Sequence, residues 1–89
     1  MKTRILIEQI HYNNSTDKAY LVELPTNKKK YIWVPKKLLY PNWQYATLYV
    51  PLSKVFYGFD DDGNKFELTG NRILEYFSSI TNIRNSYVR

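Results

Sequence analysis

Residues 28–37 have the sequence KKKYIWVPKK, and the apolar section inside this stretch indicates a β-strand. Residues 30–34 are rich in β-branched and aromatic side chains, which favour extended structure. Successive side chains of a strand point to opposite faces, so Tyr31 and Trp33 share one face and Ile32 and Val34 share the other. Pro35 has no N–H group to donate to a ladder, and it therefore ends the strand or lies at a sheet edge.

Further strands are predicted on both sides of this stretch. Residues 4–12 (RILIEQIHY) and 18–24 (KAYLVEL) precede it and are joined by turn formers, so the first three strands are expected to form a meander. Residues 45–50 (YATLYV) alternate between polar-aromatic and apolar side chains, as in a half-buried strand. The sequence DDDGN at residues 60–64 favours a hairpin turn between two more strands.

One helix is predicted after the strands. Residues 71–83 place Ile73, Leu74, Phe77 and Ile80 at helical spacing. The order of elements predicts a mainly β (α+β) fold: a small antiparallel five- to six-stranded sheet or partial barrel, SH3-like or OB-like, with one C-terminal α-helix. The strands are expected within residues 4–69. The length of 89 residues suits one domain spanning residues 1–89.

The composition constrains the class of protein. The chain has no cysteine, so neither a disulfide nor a thiolate metal site can stabilise its core. Aromatic residues make up 17% of the chain, and the burial of rings must supply much of the stability that a small core lacks. No apolar run approaches the roughly 18–20 residues that a membrane-spanning helix needs. We expect a cytoplasmic protein that does not enter a membrane.

The positive charge is concentrated in the middle of the sequence. The formal net charge is +5, and residues 24–59 contain six lysines and no acidic residue. The segments before and after this section are nearly balanced. A surplus of positive charge that is confined to one section of the chain favours an anionic partner.

No catalytic or metal-binding constellation is found. Counting from Asp60, the sixth and twelfth positions of a calcium loop would be Lys65 and Asn71, where the EF-hand pattern requires Gly and Glu. His11 is the only histidine, and Glu8, three residues earlier on the same predicted strand, points to the opposite face. We therefore expect a protein that is not an enzyme and that uses no cofactor or metal.

Basic and aromatic side chains together predict a binding surface for nucleic acid, preferably single-stranded. If Ile32 and Val34 enter the core, Tyr31 and Trp33 project outward between lysines, where rings can stack on bases and ammonium groups can neutralise phosphates. The opposite assignment, with Trp33 in the core, is equally compatible with the pattern. The candidate binding residues are Lys28, Lys29, Lys30, Tyr31, Trp33, Lys36, Lys37, Trp43 and Lys54.

A protein partner is the alternative interpretation. Exposed Tyr and Trp are also what protein interfaces select, and Tyr40, Trp43, Tyr45 and Tyr49 exceed what a thin core can bury. This alternative is a small inhibitor or adaptor, of the kind that phages or mobile elements encode, that docks on a host enzyme. A homodimer formed through a sheet edge belongs to the same alternative.

Overall fold

Eight strands form two antiparallel sheets in the computed structural model, which describes residues 1–77. The three-stranded sheet has the order β1-β6-β5 and the five-stranded sheet has the order β2-β3-β4-β7-β8. The strands are β1 (Lys2–Leu6), β2 (Ile10–His11), β3 (Ala19–Glu23), β4 (Lys30–Pro35), β5 (Leu39–Pro41), β6 (Tyr45–Tyr49), β7 (Val55–Asp60) and β8 (Lys65–Thr69). The predicted mainly β class with a C-terminal helix is confirmed, and the two sheets are not closed into a barrel.

The chain passes between the two sheets at short irregular segments. A 3-10 turn at Ile7–Gln9 leads from β1 to β2, another at Lys36–Leu38 leads from β4 to β5, and residues 50–54 lead from β6 to β7. The single strand predicted for residues 4–12 is thus divided between both sheets. Gln9 stabilises the first crossing, because its side chain accepts a hydrogen bond from the Leu6 N–H at 3.1 Å and donates one to the Glu23 carbonyl at 3.1 Å.

One hydrophobic core lies between the inner faces of the two sheets. The three-stranded sheet supplies Ile5, Leu39, Ala46 and Leu48, while the five-stranded sheet supplies Ile10, Val22, Ile32, Val34 and Phe56. An α-helix, α1, covers residues 70–77 and adds Ile73 and Phe77, both fully buried. The part of the predicted helix beyond Phe77, including Ile80, lies outside the described residues.

The DDDGN sequence forms the predicted hairpin turn between β7 and β8. The Asp60 carboxylate accepts hydrogen bonds from the backbone N–H groups of Asp62 and Asn64, both at 2.9 Å. Gly63 has a φ of 83°, which side-chain-bearing residues rarely adopt. The hydrogen bond from the Asn64 N–H is the main reason that the pKa of Asp60 lies below its ordinary value.

Candidate nucleic-acid interface

The alternation predicted for β4 is confirmed, with Tyr31 and Trp33 on the outer face of the five-stranded sheet. Ile32 and Val34 are fully buried on the inner face. The outer rings are half-buried because they pack on Phe59 of the neighbouring strand β7. Its ring centroid lies 5.3 Å from that of Tyr31 and 6.2 Å from that of Trp33. Trp33 is thus outside the core, but much of its surface is covered.

The lysines at the start of β4 lie beside acidic residues. The turn that carries Lys28 and Lys29 contacts the β7–β8 turn through a hydrogen bond of 3.3 Å from the Asp61 N–H to the Lys29 carbonyl. Lys30 lies directly opposite Asp60 in the β4–β7 pairing. Three lysines and the three aspartates 60–62 therefore share one end of the sheet, where their formal charges balance. The nearby carboxylates of residues 60–62 weaken the attraction of lysines 28–30 for phosphates.

The remaining predicted lysines lie elsewhere on the molecule. Lys36 and Lys37 follow β4 in the 3-10 turn at its far end, and Lys54 lies in the loop before β7. The Lys36 ammonium sits 5.0 Å from the ring centroid of Tyr20, and the Lys54 ammonium 5.9 Å from that of Phe56. The predicted set is therefore distributed over several regions, and its role in binding stays a prediction.

Trp43 occupies the tip of the hairpin between β5 and β6. A hydrogen bond of 2.8 Å from the Asn42 N–H to the Tyr45 carbonyl closes the turn and leaves residues 43 and 44 at its end. Trp43 is 88% exposed, more than any other large hydrophobic side chain of residues 1–77. An indole held in water on a tight turn is available to a partner.

The outer face of the three-stranded sheet combines basic and aromatic side chains. Pairing places Lys2 opposite Tyr49, Arg4 opposite Thr47, and Tyr40 on the other side of Thr47. The Arg4 guanidinium carbon lies 5.6 Å from the ring centroid of Tyr45. We call this surface the basic-aromatic face and define it by Lys2, Arg4, Tyr40, Tyr45, Thr47 and Tyr49.

The basic-aromatic face is open and carries no carboxylate of its own. Tyr40 is 54% exposed and Tyr49 is 45% exposed, and their rings meet edge to face at 5.3 Å. None of the residues in β1, β5 and β6 is acidic. The positive charges of Lys2 and Arg4 are therefore not offset by an acidic side chain from these strands.

Sequence reasoning identified the rings of this face but missed its cations. The alternation in β6 indicated that Tyr45, Thr47 and Tyr49 point outward, as the structure shows. Lys2 and Arg4 join them only because β1 pairs with β6, more than forty positions along the chain. The same alternation in β1, where Lys2 and Arg4 flank Thr3, was the available signal that these two cations share a face.

His11 makes a contact that the sequence did not indicate. Its Nε2 atom lies 2.9 Å from Oε1 of Glu23 on the adjacent strand β3, and its ring packs against the edge of Tyr31 at 5.3 Å. The pair lies on the outer face of the five-stranded sheet. In the described part of the chain, no three His, Cys, Asp or Glu side chains converge in a way that could hold a metal ion.

Up to Phe77, the structure contains no helix with both the length and the apolar character that a bilayer crossing requires. Comparisons with protein-family models, with curated proteins and with solved structures each found no match.

Proposed function

We propose that the protein is a non-enzymatic binding module that holds single-stranded nucleic acid on its basic-aromatic face. The observation that carries this proposal is the pairing of β1 with β6, which sets Lys2 and Arg4 beside exposed tyrosines on a face without acidic residues. Rings that project from a sheet can stack on bases, and neighbouring cations can neutralise phosphates.

The size of the face suits a short segment of a single strand. Neighbouring strands are about 4.8 Å apart, so the three strands span roughly 10 Å. A four-stranded sheet of the RNA-recognition type stacks about two or three bases on its aromatic side chains. The Tyr40–Tyr49 pair and Tyr45 lie on either side of Thr47, an arrangement that would accommodate a similar number of bases.

One further feature supports an unpaired ligand, and a second adds positive charge that any nucleic acid could use. Trp43 extends beyond the sheet at the hairpin tip, where its exposed ring can stack on an additional base. The Lys36–Leu38 turn leads directly into β5 and places the exposed Lys37 next to the edge of the three-stranded sheet, whereas the Lys36 ammonium lies against the Tyr20 ring of β3. A duplex, whose bases are already stacked on each other, could use the cations but not the rings.

The experiment that tests the proposal is a titration of a fluorescently labelled oligothymidylate by anisotropy at low salt. The double variant Tyr40→Ala/Tyr49→Ala is expected to bind at least about fivefold more weakly, because each stacked base contributes about 1–3 kcal/mol. Tyr57→Ala is the control for the loss of an exposed ring, since Tyr57 is 59% exposed but lies on the five-stranded sheet. Equal affinities for wild type and the double variant would contradict the proposal.

A protein partner is the second candidate, and the 88% exposure of Trp43 favours it as much as it favours stacking. The two candidates differ in their response to salt. Binding of a single strand loses affinity steeply as salt increases, whereas an interface of buried rings changes far less. A ligand that is retained on the protein after nuclease treatment and at high salt would therefore support the protein partner.

A further inference from the structure

An open groove runs along the outer face of the five-stranded sheet, on the side of the molecule that the proposed nucleic-acid interface does not use. Its volume is about 670 Å³, and its lining includes Trp33, Tyr57, Phe59, Lys65, Phe66 and Glu67. Tyr57 and Phe59 project from the same face of β7, and the Trp33 ring centroid lies 6.2 Å from that of Phe59. Three aromatic rings therefore meet in one concave region.

The rings of the groove favour a cation, and its lining supplies one carboxylate as a counter-charge. The faces of aromatic rings carry a negative quadrupole potential. Glu67 lies directly opposite Tyr57 in the β7–β8 pairing, and Lys65 lies opposite Phe59. Asp60, Asp61 and Asp62, next to Gly63, are balanced by Lys28, Lys29 and Lys30, and the Lys30 ammonium lies 5.8 Å from the ring centroid of Phe66 in the lining. Lys65 balances Glu67, so the preference for a cation comes from the rings and not from a surplus of negative charge.

We propose that this groove binds a small organic cation with a methylated ammonium group, held against Trp33, Tyr57 and Phe59 with Glu67 as its counter-charge. Ring faces attract such cations, and the methyl groups add apolar contact area that an unmethylated ammonium lacks. The volume lies within the range of roughly 300–1,000 Å³ that is typical of small-molecule sites. The proposal is independent of nucleic-acid binding on the opposite sheet.

The test compares choline with 3,3-dimethylbutan-1-ol, which has the same shape but a carbon in place of the charged nitrogen. Binding is followed through Trp33 fluorescence in the variant Trp43→Phe, because the chain has only two tryptophans. Sodium chloride is adjusted so that every sample has the same chloride concentration. Choline is expected to bind in the millimolar range or tighter, and at least about threefold more tightly than its neutral analogue.

Three variants distinguish the proposed site from a general apolar surface. Tyr57→Leu is expected to weaken choline binding at least about threefold, because it removes an exposed ring but keeps an apolar side chain. Glu67→Gln is expected to weaken binding and Lys65→Gln to strengthen it, since the two side chains act on a cation with opposite signs. Both charged residues are exposed, so these variants keep the fold.

Three results would overturn the proposal. One is equal affinity for choline and the alcohol, which would show that the groove binds apolar groups without any preference for positive charge. The second is the absence of saturable binding of choline to the Trp43→Phe protein. The third is an effect of the same sign from Glu67→Gln and Lys65→Gln, which would remove the electrostatic basis for choosing a cation.

Discussion

Replacement of Gly58 by alanine tests how closely β4 and β7 approach each other. A Cβ atom at this position would lie 2.2 Å from the Tyr31 carbonyl oxygen and 2.8 Å from the Phe66 ring, whereas ordinary contact begins at 3.4 Å. The ring can shift, but the carbonyl belongs to the strand paired with Gly58, so β4 and β7 would have to separate by roughly 1 Å. Overpacking of this kind costs about 1–3 kcal/mol, and a backbone clash places Gly58→Ala at the upper end.

The expected result is a large loss of thermal stability, measured by circular dichroism. A loss of about 3 kcal/mol corresponds to a melting temperature roughly 12–24 °C lower in a domain of this size. Gly63→Ala is the matched control, because its φ of 83° imposes strain while nothing lies within 4 Å of the added Cβ. That strain costs about 1–2 kcal/mol. If Gly58→Ala is no less stable than Gly63→Ala, β4 and β7 do not lie as close together at Gly58 as described.

Three other changes test separate parts of the structure. Phe77→Ala removes a fully buried ring of α1 and should cost about 3–5 kcal/mol in urea denaturation, and a stability equal to wild type would show that the helix does not pack on the sheets. Because the folded pKa of Asp60 is lowered, its stabilising effect should be complete above about pH 5 and be lost as the pH falls through the folded value. The free energy of unfolding of Asp60→Asn should therefore fall less steeply with decreasing pH than that of wild type. An equally steep fall would show that Asp60 does not stabilise the fold in this way. Trp43→Ala should leave the melting temperature within about 2 °C of wild type, since exposed substitutions cost little, yet weaken binding of oligothymidylate at least about fivefold.

Local alternation made several features predictable from the sequence. In residues 30–34 the alternation predicted which side chains share a face but left open which pair enters the core. The structure buries Ile32 and Val34. The turn at residues 60–64 was equally predictable, because Asp60 and Gly63 supply the capping oxygen and the positive φ within the turn itself. Such features need no knowledge of distant contacts.

Features that depend on long-range pairing were not predictable. Residues 4–12 contain apolar side chains throughout, and the break at residues 7–9 depends on a hydrogen bond from Gln9 to Glu23 on another strand. β5 has only three residues and ends in Pro41, so its own sequence resembles a loop. The charge balance between residues 28–30 and 60–62 also arises only when β4 pairs with β7. Sequence reasoning therefore located the lysines but not the acidic residues beside them.

The salt dependence of oligothymidylate binding by two sets of charge variants tests directly whether the interface lies on the basic-aromatic face. We expect Lys2→Gln/Arg4→Gln to weaken binding at low salt and to make the log–log slope shallower by about 1.4, which is about 0.7 for each phosphate that is no longer neutralised. Lys28→Gln/Lys29→Gln/Lys30→Gln removes more charge but should change the slope less, because these lysines lie beside residues 60–62. A slope that is unchanged in the first variant and clearly shallower in the second would contradict the account and place the interface at the start of β4.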